Sequence, residues 1–140
     1  MSQVEFRIGA ADPLGYACAL LRSAVAKGAR LLVRVDEDRL AELDTRLWTF
    51  SALDFVPHCR EDDAARARSA VVLSSAAAPP VTDARDCLVN LAADAPHSWQ
   101  QWPRVIEIVG ADDAAKAAAR RRFRVYRDAG CTPTTMELNP

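Results

Sequence analysis

The sequence has no long apolar run and no strong excess of charge of either sign. No segment reaches the roughly 18 consecutive apolar residues that a membrane-spanning helix needs, and the first ten residues, MSQVEFRIGA, contain no charged leader followed by an apolar core. We therefore expect a cytoplasmic protein. The formal net charge is -1, so any affinity for nucleic acid would have to come from a local basic patch rather than from the molecule as a whole.

Motifs for metal, redox and nucleotide chemistry are also missing. The four cysteines are scattered without a CxxC pair, which argues against a zinc knuckle or a dithiol site and predicts free thiols. The five glycines are dispersed, and neither GxGxxG nor a GxxxxGKS or GxxxxGKT loop occurs. The neighbouring residues His58 and Cys59 would point to opposite sides of an extended chain. We predict no catalytic residue, no metal and no cofactor.

Segments with strand spacing and segments with helix spacing alternate along the chain. Strand-like patterns occupy residues 4–10, 29–36, 69–75, 86–92 and 103–110, and helical patterns occupy residues 12–28, 36–50 and 111–130. The charged segment 59–70 is compatible with a short helix or a loop, and we expect 76–85 to be a loop and 131–140 to be irregular. The alternation predicts a single α/β domain over residues 1–140, with a mostly parallel sheet that helices cover on both faces.

The last predicted helix ends in RRRFRVYRDAG (120–130), where bases and aromatic rings are concentrated. Helical spacing places Lys116, Arg120, Phe123, Arg124 and Arg127 on one side. The opposite side should pack on the sheet; it consists of Ala115, Ala118, Ala119, Arg122, Val125, Tyr126 and Ala129. The residues alone leave three interpretations open: a solvated basic face with the ring of Phe123 tilted into the core, a nucleic-acid surface, or a pocket for a short acidic peptide with an apolar end.

A second aromatic group follows the middle helix, in LWTFSALDFVPH (47–58). It contains Trp48, Phe50, Phe55 and Pro57 within ten residues. Large rings on a loop are typical anchors of protein interfaces, and they also form satellite hydrophobic clusters under loops. Both interpretations stay open at this point.

Together these segments resemble the chi subunits of the bacterial DNA polymerase III holoenzyme, over nearly the whole chain. The resemblance is carried by LDTRLWTFSALDFVPH (43–58), by GARLLVRVDEDRLAE (28–42) before it, and by ARRRFRVYRDAG (119–130). It implies a three-layer, Rossmann-like, non-catalytic subunit of the clamp loader with two protein partners. One partner is the psi subunit, with which a heterodimer is expected. The other is the acidic, Phe-ending C-terminal tail of single-stranded DNA-binding protein, so that DNA is contacted only indirectly.

Matching positions imply which residues form each surface. The tail site would use Lys116, Arg120 and Arg124 as partners of carboxylates and Phe123 and Val109 as an apolar wall, with Tyr126 and Gly130 in support. The psi surface would be built around Trp48, Phe55 and Pro57.

The chain also departs from the family pattern. Phe123 stands where the family pattern leads us to expect Tyr, segment 59–70 is not glycine-rich, and Arg121 and Arg122 add to the expected bases. The alternative is a nucleic-acid-binding module that uses the basic C-terminal helix directly.

Overall fold

The computed structural model of the protein describes residues 2–49, 56–79 and 85–138. Its elements, in chain order, are β1 (Gln3–Ala10), α1 (Pro13–Ala26), β2 (Leu31–Arg34), α2 (Glu37–Thr49), β3 (His58–Arg60), β4 (Val71–Ser74), β5 (Cys87–Asn90), β6 (Arg104–Gly110), α3 (Asp113–Asp128) and β7 (Thr134–Glu137). Single turns of 3-10 helix lie at Arg66–Arg68 and Trp99–Gln101. Within these ranges no helix is long and apolar enough to cross a membrane.

The strands form one seven-stranded sheet with the order β3-β4-β2-β5-β6-β1-β7. Every pairing between them is parallel. Residues of α1 and α2 belong to the hydrophobic core on one face of the sheet, whereas residues of α3 belong to the core on the other face. The predicted three-layer, Rossmann-like α/β fold is therefore confirmed, and the described strands pair only in parallel.

Side-chain alternation along each strand supplies both cores. In β6, Ile106 and Ile108 point to the core under α1 and α2, while Val105 and Val109 point to the core under α3. The central strands β2, β4 and β5 are buried at every position. Burial on both faces explains why these strands are short apolar runs in the sequence rather than alternating ones.

The ends of α1 and α3 carry residues that favour helix starts and stops. Pro13 occupies the start of α1, where its missing N–H has no intrahelical partner to lose. Gly28 and Gly130 follow α1 and α3 with φ angles of +86° and +91°, a conformation that favours glycine. The carboxylate of Asp112 accepts a hydrogen bond of 2.7 Å from the backbone N of Ala115 and so caps α3.

Three predictions about local structure were wrong. The tail 131–140, expected to be irregular, contains β7, and segment 59–70, expected to be a short helix or a loop, opens with the last two residues of β3. Both strands are short and lie at the sheet edges, and β7 is exposed at every position, so neither shows an apolar alternation. Val125 and Ala129, expected on the packed side of α3, are exposed because the buried stripe of this helix runs only through Ala119, Arg122 and Tyr126.

Candidate functional site

A pocket of about 270 Å³ lies between α3 and the β7 edge of the sheet. Residues from three neighbouring strands form the floor of the pocket. Strand register brings them side by side, because Ile8 of β1 is paired with Val109 of β6 on one side and with Glu137 of β7 on the other. The helix supplies the second wall. The lining residues are Phe6, Ile8, Val109, Lys116, Ala119, Arg120, Phe123 and Glu137.

The ring of Phe123 belongs to both the core and the pocket. It is half-buried, and its centroid lies 5.4 Å from that of Phe6 with a tilted geometry. Phe6 itself is buried and packs edge-on against Tyr126. Contact with the core on one side fixes the orientation of Phe123, and its other side remains available as an apolar wall.

The bases of α3 that face solvent have no acidic partner in the part of the chain that the structure describes. Lys116 and Arg120 line the pocket, and Arg124 lies one turn further along the helix and is exposed. Arg121 and Arg127 are also exposed. No ion pair joins any of these five side chains to a described residue. Unpaired cations beside an apolar pocket suit a ligand that carries an anion next to an apolar group.

Arg122 differs from the other bases of α3 because it is buried in an ion pair. Its Nε donates to Glu107 Oε1 at 2.9 Å, and its Nη1 donates to the carbonyl O of Ala93 at 3.1 Å. Helical spacing places Arg122 on the packed side of α3, and its burial confirms this, so Arg122 does not add to the bases available to a ligand. Its charge is already compensated by the fully buried carboxylate of Glu107 on β6.

Tyr126 is buried between α3 and the sheet and does not line the pocket. Its buried hydroxyl donates to Glu107 Oε2 at 2.5 Å, and the side-chain amide of Asn90 donates to the same carboxylate at 2.9 Å. Burial raises the pKa of the Glu107 carboxyl, while the charge of Arg122 and these hydrogen bonds act in the opposite direction. Burial, together with the negative charge of Glu107, raises the pKa of Tyr126. Tyr126 thus anchors α3 to the sheet.

Gly130 lies outside the pocket. It follows the end of α3 and lines a separate cavity of about 760 Å³ at the other end of the helix, together with Ser2, Trp99 and Arg104. The structure thus brings Val109, Lys116, Arg120 and Phe123 into one pocket. Arg124, Tyr126 and Gly130 do not line that pocket.

The second predicted surface contains an exposed tryptophan at the end of α2. Trp48 is 59% exposed, and its ring lies edge-on to that of His58 at 5.1 Å between centroids. His58 is held by Asp44 Oδ1 at 2.8 Å from Nε2 and by the carbonyl O of Val56 at 2.7 Å from Nδ1. Pro57 is exposed. Phe55, the other residue expected on this surface, lies outside the described residues.

Sequence reasoning missed several residues of these two surfaces. Phe6 and Ile8 lie on β1 at alternate positions that face α3, a signal that the strand pattern contained. His58 directly follows Pro57 of the aromatic cluster, and its ring packs edge-on against that of Trp48. Glu137 had no signal, because the strand that carries it was not predicted.

Among the described residues, no group of three or more His, Cys, Asp or Glu side chains could hold a metal ion.

Comparisons with known proteins agree with the motifs. A family model for the DNA polymerase III chi subunit, HolC, matches residues 1–134. The DNA polymerase III subunit chi of Pseudomonas aeruginosa is 37% identical over 135 residues, which cover 93% of this chain and 92% of that protein. The subunit of the same name from Haemophilus influenzae is 30% identical over 120 residues, covering 85% and 83%. That of Escherichia coli is 27% identical over 114 residues, covering 81% and 77%. The chain belongs to the DNA polymerase III chi subunit family.

Proposed function

We propose that this chi-family protein is a non-catalytic adaptor of the DNA polymerase III clamp loader during DNA replication. One surface would bind the acidic, Phe-ending C-terminal tail of single-stranded DNA-binding protein, and a second would bind the psi subunit. The observation that carries the tail site is the apolar pocket whose helical wall presents Lys116 and Arg120, which form no ion pair with any residue that the structure describes. Family membership supports the assignment to the polymerase complex.

The pocket matches the chemistry of such a tail end. A terminal carboxylate would meet the ammonium of Lys116 and the guanidinium of Arg120, and charge-assisted hydrogen bonds of this kind are about twice as strong as neutral ones. The terminal ring would lie against Phe123, Ile8 and Val109 and leave water. The volume of about 270 Å³ lies just below the range of about 300–1,000 Å³ that is usual for whole small-molecule ligands, which favours a short peptide end.

The proposed psi surface is centred on Trp48, with Pro57 and Phe55. Tryptophan is enriched among the residues that contribute most to protein interfaces, and more than half of Trp48 is accessible to a partner. The edge-on contact with His58 restricts the rotamers of the indole ring. A ring that is already oriented loses less conformational entropy when a partner covers it.

Fluorescence anisotropy of a labelled acidic peptide that ends in Asp-Phe-Pro-Phe tests the tail site. We expect the wild-type protein to bind with micromolar affinity, and we expect Phe123→Ala to weaken binding by about tenfold or more, because one wall of the pocket is lost. Val125→Ala is the matched control, since Val125 is exposed on the same helix and does not line the pocket. Equal affinities of the wild type and Phe123→Ala would contradict the site.

A second candidate function is direct binding of single-stranded DNA by α3. The five solvent-facing bases without an acidic partner among the described residues favour it. This function predicts that bare single-stranded DNA binds in competition with the peptide and that its affinity falls steeply with salt concentration. Binding of DNA without binding of the peptide would replace the adaptor proposal by this one.

A further inference from the structure

Glu137 places a negative charge on the rim of an apolar pocket whose other charged lining residues are basic. The residue is exposed on the edge strand β7 and lines the pocket opposite Lys116 and Arg120. Within the described ranges, its carboxylate has no hydrogen-bond or ion-pair partner. With two bases on α3 and a carboxylate on β7 among the residues that line it, the pocket is dipolar, with a positive helical wall and a negative strand rim.

This dipolar arrangement constrains a peptide whose end lies in the pocket. The terminal carboxylate is stabilised only on the α3 side, near Lys116 and Arg120. The preceding residue lies about 3.3–3.6 Å further along an extended chain, so it is still at the rim when the terminal side chain is inside. An acidic side chain at that position comes close to Glu137, whereas acids two or more residues further away have left the rim.

We propose that Glu137 is a specificity-determining residue for the position next to the anchored end of the peptide. Its carboxylate disfavours an acidic side chain there and admits an uncharged one, so that acidic residues of the ligand are tolerated only further from the end, where they reach Arg124 on the exposed side of α3. Like charges that face each other are a common way to exclude wrong partners. This inference rests on the proposed function, because it concerns the ligand of the same pocket.

Two peptides and three proteins test it. The peptides share an acidic segment and a terminal Phe and differ only in the penultimate residue, Asn in one and Asp in the other. The proteins are the wild type, Glu137→Gln, and the control Asp62→Asn. The control removes the same charge from an exposed residue just after β3, at the opposite edge of the sheet. The measured quantity is the ratio of the dissociation constants of the two peptides for each protein.

We expect Glu137→Gln to shift this ratio in favour of the Asp peptide by about three- to tenfold at low salt, as removal of a like charge at close range predicts, and the shift should shrink in about 0.5 M salt because exposed charges are screened. Asp62→Asn should keep the wild-type ratio. An unchanged ratio in Glu137→Gln would overturn the inference while leaving the tail site intact. Failure of the wild type to bind either peptide would instead remove the proposed function and, with it, this inference.

Discussion

At the scale of single residues, three consecutive arginine side chains of α3 point in different directions, and only one of them belongs to the helical wall of the pocket. Arg120 lines the pocket, Arg121 is exposed beside it, and Arg122 is buried against Glu107. Successive residues of a helix are rotated by about 100° from one another, so three consecutive arginines serve three different environments. Only one of them faces the apolar floor formed by the strands.

We expect Arg120→Ala to weaken binding of the acidic peptide by about 1.5–3 kcal/mol, the scale of a hydrogen bond to a charged group. Arg121→Ala removes the same charge from the same helix without touching the pocket, and its effect should stay below about 0.5 kcal/mol because exposed charges are screened. Isothermal titration calorimetry of both variants makes the comparison. Equal losses would mean that the ligand responds to the general field of α3 and not to a pocket.

At the scale of elements, α3 is fixed to the sheet by a buried polar cluster. Glu107 on β6 accepts hydrogen bonds from Arg122 and Tyr126 of α3 and from Asn90 of β5. The cluster lies under the sheet-facing stripe of the helix, next to the pocket, because Arg122 and Tyr126 share that stripe with the pocket residue Ala119. Since Phe123 and Arg120 belong to the same helix, the position of both pocket residues relative to β1 and β7 depends on these bonds.

Tyr126→Phe tests this anchor, because it keeps the ring and removes only the hydroxyl. We expect a loss of about 1.5–3 kcal/mol in the free energy of unfolding at neutral pH, since the Glu107 carboxylate loses a short hydrogen bond. Val125→Ala, an exposed position on the same helix, should change the free energy of unfolding little. Urea denaturation followed by circular dichroism gives both values.

The pH dependence adds a readout that a packing defect would not produce. Burial raises the folded-state pKa of Glu107 above its ordinary value of 4.5. Between the unfolded-state and the folded-state pKa, the folded protein therefore binds more protons than the unfolded chain, and stability falls as the pH rises through this window. Removing a donor to the charged form raises this pKa further. The destabilisation by Tyr126→Phe should therefore be smaller at pH 4.5 than at pH 8, and a loss that is independent of pH would contradict the assigned role.

The elements show which parts of the fold local patterns can predict. The three helices and the strands β1, β2, β4, β5 and β6 were predicted because each has caps, helical spacing or a run of buried apolar residues. The edge strands β3 and β7 were not predicted, because strands of three and four residues at a sheet edge need no apolar alternation. Helical spacing placed Lys116, Arg120 and Phe123 on one side of α3 but put the pocket residue Ala119 on the other. Ile8 and Glu137 join the pocket through strand register, which is a non-local property.

At the scale of the whole molecule, charge is separated although the total is nearly zero. Residues 111–130 hold six bases and three acids, a net charge of +3, so the rest of the chain sums to -4 against the total of -1. Acidic segments are thus attracted to one region and repelled by the remainder. This distribution favours an acidic peptide over a long nucleic-acid strand, because a strand would also meet the acidic surface.

The two proposed surfaces lie on opposite faces and near opposite edges of the sheet. The indole ring of Trp48 extends from α2 towards β3, while the pocket lies under α3 beside β7. Six strand spacings of about 4.8 Å separate the edge strands, which is about 29 Å. At this distance, substitutions on the two surfaces should act independently, since coupling is usually small beyond about 7–10 Å.

We therefore expect Trp48→Ala to abolish co-purification with the psi subunit, a loss of about 2 kcal/mol or more for a central tryptophan, and to leave the affinity for the acidic peptide within about twofold of wild type. Phe123→Ala should do the reverse, with psi retained and peptide binding lost. Both variants are measured for psi binding by size-exclusion chromatography of co-expressed complexes and for peptide binding by fluorescence anisotropy. If Trp48→Ala weakened both interactions by similar factors, the two surfaces would be coupled through the sheet, and a chi-family adaptor with two independent docking sites would be the wrong description of this protein.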